Sequence, residues 1–543
     1  MSSTYPYTRR AMELRAAEYY ASIRKPEQEW RSIEDLTPQL TEFEHRVQGG
    51  DHDAACILLN WIDYEYLFRW GNYNWLLQLR KQLNGRLHDV LLQAMNQDGL
   101  GFVLLALGQI REAIALHEDS LALAEQIGDP QLVCQVLNHL GTAYRDLGEA
   151  TRAIRLYEEA LKIAQDLYFR DREGTILGNL GNAYHNLGDF EQAIGFYGQS
   201  LSIYRELGNR RREGAELSNL ANTYRAMKQC HTALRHYETA LAIAQEINDA
   251  LSESETLGGL GVVYRELGQF ESARDLSEKA LAIARAISAR RYEGLNLGRL
   301  GIINQCLGQY ATAQAYYAQA HSIASEIEDV RYVRAWSHYL GTLYRALGDF
   351  DKAVVHHRQA LPEGYEGEDR SGKGIHLLGL GKALLAQGQF AEARLCFEEA
   401  YTHNTAIRHQ VRLMQGVTCL HIRHTACAEY FRTAVDHCRE MLQAGDLYET
   451  HYTLAISLVG QAVCDPHWDD ATQRADLLAL ALTEYRRALG ITAAPGVVRD
   501  ALRDLELIRA AGVEGVEPAF ALLEQALKRD TPATKGGSDL STV

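Results

Sequence analysis

Leucine stands at positions 100, 140, 180, 220, 260, 300, 340 and 380, and glycine follows it every time except at Ala221. Alanine keeps the same interval at 113, 153, 193, 233, 273, 313, 353 and 393. No insertion disturbs the count across the eight copies. A fixed period of this size argues against a single compact core and specifies one supersecondary unit stacked on itself, a solenoid or superhelix. The stretch from Asp171 to Asn209, DREGTILGNLGNAYHNLGDFEQAIGFYGQSLSIYRELGN, spans one such unit.

Each unit carries two helical runs around a short turn. In the second copy Leu137, Leu140, Gly141 and Tyr144 share one stripe through spacings of three or four residues. Leu147-Gly148 closes that helix, and Ala153, Tyr157, Ala160, Leu161 and Ala164 form the inner stripe of the next. Small residues at Gly141, Ala153 and Ala160 let the helices approach, while Tyr144 and Tyr157 fill the space between them. This order of Leu-Gly, tyrosine, alanine, aromatic and alanine resembles the tetratricopeptide repeat. Tyr144, Tyr184, Tyr224, Tyr264 and Tyr344 match the family tyrosine, and Tyr157, Tyr197, Tyr237, Tyr317 and Phe397 match its later aromatic. The family's tryptophan is replaced by Leu177, Leu217, Leu257 and Leu297, its proline is missing, and the period is forty rather than thirty-four. That longer form resembles the repeats of the LGN/Pins polarity adaptors. The resemblance implies an all-α fold: a superhelical solenoid of about eight forty-residue helix-turn-helix repeats over residues 91–410, with helical caps at both ends.

Residues 1–90 are helical in pattern but off the repeat. Helices are expected over Arg9–Ile23 and Leu36–Val47, with a stop at Gly49-Gly50. Trp61, Trp70, Trp75, Tyr64, Tyr66 and Tyr73 follow in a dense cluster. They would form either a partner surface or, the reading preferred here, the core of a cap, because the end of an array needs its open face covered. Residues 411–529 read as degenerate helical repeats and a C-terminal cap, and 530–543 as a disordered tail. Pro362 falls where other copies continue the second helix, so the seventh unit should have a truncated helix and a mobile loop. Two flanking segments, RRAMELRAAEYYASIRKPEQEW and YRRALGITAAPGVVRDALRDLELIRAAG, resemble the sensor half of bacterial STAND (NB-ARC or NACHT) regulators. That resemblance implies a sensor half; as the chain carries no Walker A or B sequence, it would be a sensor acting with a separately encoded STAND ATPase, a fragment, or a relative that has lost the switch.

The balance of 71 acidic against 55 basic residues, a formal net charge of -16, argues against a general nucleic-acid footprint. No signal-peptide pattern opens the chain and no apolar window is long enough to span a membrane. The nine cysteines are scattered and read as reduced thiols. Together these features predict a cytoplasmic protein with neither nucleic acid nor membrane as partner. Gly379-Leu380-Gly381-Lys382 imitates a phosphate loop, but Ala383 stands where Ser or Thr is needed and Gly381 is the repeat glycine. Cys419, His421, His424 and Cys427 form the one metal-like cluster, at a spacing that fits no common zinc module. The expectation is a non-enzyme without a cofactor or metal.

If Leu140 and Tyr144 face inward, Asn138, Thr142 and Arg145 lie on the opposite face. Their counterparts include Asn179, Asn182 and His185, then Asn219, Asn222 and Arg225, then Arg265 and Arg345. In tetratricopeptide proteins this face of the first helix lines the concave groove, so the resemblance places a ladder of Arg and Asn there. Amides pair with both backbone groups of an extended peptide, and guanidinium forks grip carboxylates. The expected function is a protein-protein interaction scaffold whose partner is a protein or an extended peptide, an acidic one being best matched to the arginines. The plainer alternative is that these side chains simply solvate an exposed helix face.

Overall fold

The computed structural model describes residues 8–30, 33–69, 71–361, 370–404, 406–464, 471–513 and 515–529. Every regular element among them is helical. Helices Val90–Ala106 and Ile110–Ile127 make the first copy, Pro130–Asp146 and Ala150–Asp166 the second, and the pairs run on to Arg370–Ala386 and Phe390–His403 in the eighth. The repeat glycine is explained by its neighbour. A Cβ on Gly141 would stand 2.7 Å from the fully buried Tyr157 ring, and one on Gly301 would stand 2.6 Å from Tyr317. In the fourth copy, where Ala221 replaces the glycine, the Tyr237 ring also lies against Gly259 of the next copy, 2.6 Å from where a Cβ there would stand. At the turn between helices Gly148 takes φ 84°, and Lys228 is held at φ 62° in the equivalent place.

The second helix of the seventh copy, Phe350–Gln359, has 10 residues against 17 in Phe270–Ala286, as Pro362 requires. Pro362 itself, the segment after it and the tail expected from 530 lie outside the described residues, as does Trp70. Ahead of the array stand helices Arg9–Ser22, Thr37–Gln48, His52–Ile62 and Tyr73–Leu83, with a π-helical turn at Asp63–Phe68. The aromatic cluster divides. Trp30 is buried against Trp61 and Tyr66, with ring centroids 5.1 and 4.8 Å away, and Tyr73 is buried as well. Tyr64 and Trp75 are exposed.

Both flanks return to the middle of the array. On one edge, where first helices begin, Arg69 pairs with Asp249 at 2.9 Å and Arg211 with Glu65 at 3.0 Å. Arg291 donates to the Tyr73 hydroxyl, and Arg331 to the carbonyl of Ala106 in the first copy. On the other edge, where first helices end, the C-terminal helices close in. Gly445 packs on Lys228, Thr492 on Gly268, and Pro495 on Gly308. Arg503 reaches the Ala346 carbonyl. One apolar cluster runs from Phe270 through Phe397 and Tyr452 to Leu523, joining the later copies to helices Tyr448–Cys464, Ala471–Ile491, Pro495–Ala510 and Glu517–Arg529. The C-terminal cap thus lies along the array as well as beyond it.

Candidate functional site on the concave face

The first helices of copies two to four present the polar positions expected from the sequence, but packing claims part of each side chain. The hydroxyls of Tyr197 and Tyr237 donate to the carbonyl oxygens of Asn182 and Asn222, both at 2.7 Å, and Tyr157 meets Thr142 at 3.0 Å. These positions therefore hold the packing tyrosine of their own copy. Asn138 accepts from Asn179 at 2.8 Å, tying adjacent copies, and Asn219 donates to Glu216. His185 bonds to the Thr223 hydroxyl at 3.0 Å.

The arginines of the ladder separate by position. Arg145 pairs with the adjacent Asp146. Burial works against its charge, but Asp146 and the Tyr157 phenol outweigh burial and hold its pKa above the usual range. Arg225 is bound to Glu266 at 2.7 Å. Arg265 faces Glu449 at 3.6 Å, and Arg345 faces Asp500 and Asp504, each at 3.6 Å. Asp504 also binds Lys382 at 2.9 Å. Acids from the C-terminal helices thus meet the basic side chains that copies five, seven and eight turn to the groove.

A pocket of about 570 Å³ opens on the concave face of the earlier copies. It gathers Asn138, Thr142, Arg145, Asn179 and Asn182 of the expected ladder; His185, Asn219, Asn222, Arg225, Arg265 and Arg345 do not line it. Tyr64 and Arg80 of the N-terminal flank supply one wall, and Asp98, Phe102 and His139 another. Arg80 is committed to Asp63 and Asn60. Arg172 and Arg212, which the sequence reading passed over, also face the pocket. Arg172 donates to the Gln131 carbonyl and to Gln135, and Arg212 lies 6.0 Å over the Tyr64 ring. Among the described residues neither makes an ion pair with a carboxylate; burial works against the charge of Arg212, and Tyr64, Tyr204 and the more distant Asp171 and Glu65 favour it. Their signal in the sequence was the repeat itself, because 172 and 212 are one period apart in the first turn of their helices.

Two further buried groups lie within the array. Burial pushes the Glu216 carboxyl up to about 7, against hydrogen bonds from Asn219 and Ser200 and the charge of Arg212. In the seventh and eighth copies His338 lies 5.0 Å from both His357 and His376, ring centre to ring centre. Burial, aided by Arg345 and neighbouring imidazoles, holds His357 down to about 3, and burial with Arg334 holds His376 down to about 4. The Cys419 cluster is not drawn together as a ligand set: His421 bonds to the Leu507 carbonyl, and Cys427 to the His424 carbonyl.

Stacked helix pairs around a concave polar face define an α-helical repeat protein. Models of the tetratricopeptide repeat match residues 90–166, 132–206, 215–286 and 293–362, with a further repeat at 375–399. The chain belongs to the tetratricopeptide repeat family and is a scaffold for protein interaction. No curated protein sequence matches it. Among solved structures it is similar to BtubC (BKLC) from P. vanneervenii, with 26% identity, 40% of this chain and 91% of that one covered, and a TM-score of 0.33. It is also similar to a Rap protein complexed with competence and sporulation factor, at 15% identity, 76% and 99% coverage and a TM-score of 0.44. A STAND protein with a tetratricopeptide repeat sensor from Pyrococcus horikoshii shares 16% identity over 67% of this chain and 54% of its own, with a TM-score of 0.42. No helix among the described residues is long and apolar enough to cross a membrane.

Proposed function

We propose that the chain binds a short acidic segment of a partner protein in the N-terminal half of its concave groove. The observation that carries this reading is the pair Arg172 and Arg212, which face a 570 Å³ pocket and make no ion pair with a carboxylate among the described residues. A half-buried guanidinium gains most from a carboxylate, because the pair forms two parallel, charge-assisted hydrogen bonds. Asn179 and Asn182 add amide groups along the same wall, and Tyr64 and Phe102 add aromatic surface. The pocket volume suits a few residues of an extended chain rather than a folded domain.

The test uses the full chain against an immobilised library of ten-residue peptides rich in Asp and Glu, with affinities measured by fluorescence anisotropy. Arg172→Ala/Arg212→Ala should weaken the best peptide about 10- to 100-fold, from the loss of two charge-assisted contacts. Arg225→Ala should leave it unchanged, because Arg225 is already occupied by Glu266. The affinity should also fall as salt is raised. Peptides that bind the double variant as well as the parent, or a library with no binder, would overturn the proposal.

A further inference from the structure

The inner position of the second helix is not uniform among the copies: Ser277, His357 and Phe397 take it in the fifth, seventh and eighth. Tyr157, Tyr197, Tyr237 and Tyr317 fill the inner position of the second helix, whereas His117 takes it in the first copy, against Gly101. Opposite His117 lie Asp98, from helix Val90–Ala106, and His139, from helix Pro130–Asp146. Three successive helices therefore deliver two imidazoles and a carboxylate to one point. Both Nδ1 atoms stand 2.9 Å from Asp98 Oδ1, and the three ligand atoms lie within 4.8 Å of one another.

We propose that Asp98, His117 and His139 form a binding site for a divalent transition-metal ion, of the zinc, cobalt or nickel type. The donor set is two borderline nitrogens and one hard oxygen, which suits these ions and not calcium or magnesium, whose sites are built of oxygen. Asp98 and His117 are almost wholly buried, with side-chain exposures of 2% and 0%. No Lys or Arg pairs with Asp98 among the described residues; its partners are His117, His139 and Gln135. A buried carboxylate facing two imidazoles favours positive charge at that point, which a protonated imidazole or a metal ion held by all three side chains supplies. His117 Nε2 has no hydrogen-bond partner, so the Nδ1 side alone fixes the ring.

The site is also reachable. Asp98 and His139 form part of the wall of the 570 Å³ pocket, so an ion has an entry path and a fourth coordination position open to the pocket. Two donors each about 2.0–2.1 Å from a tetrahedral ion stand about 3.3 Å apart. Binding therefore opens the present 2.9 Å separations by a few tenths of an ångström. Gln135, which donates to Asp98 Oδ2 at 2.9 Å, orients the carboxylate from behind.

The experiment is titration of the chelator-stripped full chain with Zn²⁺ by calorimetry and with Co²⁺ by visible absorption. The expected result is a tight site holding one ion, with the d–d bands of four-coordinate Co²⁺. His117→Tyr installs the residue that four other copies already pack at this position, so it removes a ligand while keeping a side chain the frame accepts. It should weaken binding about 100-fold or more, as should Asp98→Asn. His357→Tyr, the same exchange in the seventh copy, should change nothing. Absence of Zn²⁺ binding by the parent chain would overturn the site. So would His117→Tyr and Asp98→Asn chains that still fold, by circular dichroism, and bind the ion as tightly as the parent.

Discussion

In copies two and three Asn138, Asn179 and Asn182 look into an open pocket, while in copies five, seven and eight Arg265, Arg345 and Lys382 meet Glu449, Asp500 and Asp504. The frame is the same in both halves, with the glycine of copies two, three, seven and eight under an aromatic ring and that of copy five under Ser277. What differs is the flank that folds over each. The C-terminal helices bring carboxylates to the later arginines, whereas the N-terminal flank brings Tyr64 and Arg80 and, among the described residues, leaves Arg172 and Arg212 without an ion pair. Concave position alone therefore does not make a ligand site in this array. A basic residue is free only where no other part of the chain has claimed it.

The sharpest way to break this contrast is Asp504→Ala. It leaves Lys382 without its carboxylate in a largely buried setting and should cost about 3 kcal/mol in denaturant unfolding. Proteolysis at Pro495–Ala510 should accelerate, while Arg172→Ala/Arg212→Ala, which breaks no ion pair, should leave unfolding almost unchanged. Next comes Glu216. Its folded pKa of about 7 lies above the unfolded value, so the folded state holds the extra proton between those limits and stability falls as pH rises through them. The loss between pH 5 and pH 8 should be about 3 kcal/mol, and Glu216→Gln should abolish that slope.

The His338 cluster should act in the opposite sense. His357 is held neutral down to about 3, so the unfolded chain takes up the proton first and stability falls as pH drops below the usual histidine range. His357→Phe, the residue of the eighth copy at Phe397, should recover about 2 kcal/mol at pH 5. The smallest expected effect is at Asn182→Ala. Removing the acceptor of the Tyr197 hydroxyl should cost about 1 kcal/mol, which calorimetric melting would resolve. A cost near zero would mean that the asparagine is available to a ligand rather than engaged in packing.

The frame was legible because it is local. Leu140, Gly141, Ala153 and Tyr157 meet within one copy, so their spacing carries the whole contact. The short second helix of the seventh copy was legible for the same reason, from Pro362 alone. The groove was legible only as a face. That Asn182 and Asn222 would be spent on tyrosine hydroxyls depends on where a ring ends across a helix pair. That Arg345 would meet Asp504, and Arg69 would meet Asp249, depends on how the superhelix winds over hundreds of residues. No periodicity within forty residues encodes either. The His117 site was hidden differently: its three members lie on three helices, and a histidine in place of tyrosine at that repeat position, which His357 shows as well, does not single it out.

An ordinary solenoid behaves like a spring, because each unit touches only its neighbours and the ends are free to stretch or fray. Here Arg69 to Asp249 and Arg291 to Tyr73 bridge 180 and 218 residues, and Lys382 to Asp504 bridges 122. Those ties convert the spring into a closed clasp whose middle copies are gripped from both edges. Pulling on either end must first unfasten the clasp, so mechanical force and folding should both register the array as a single cooperative body rather than a row of independent units.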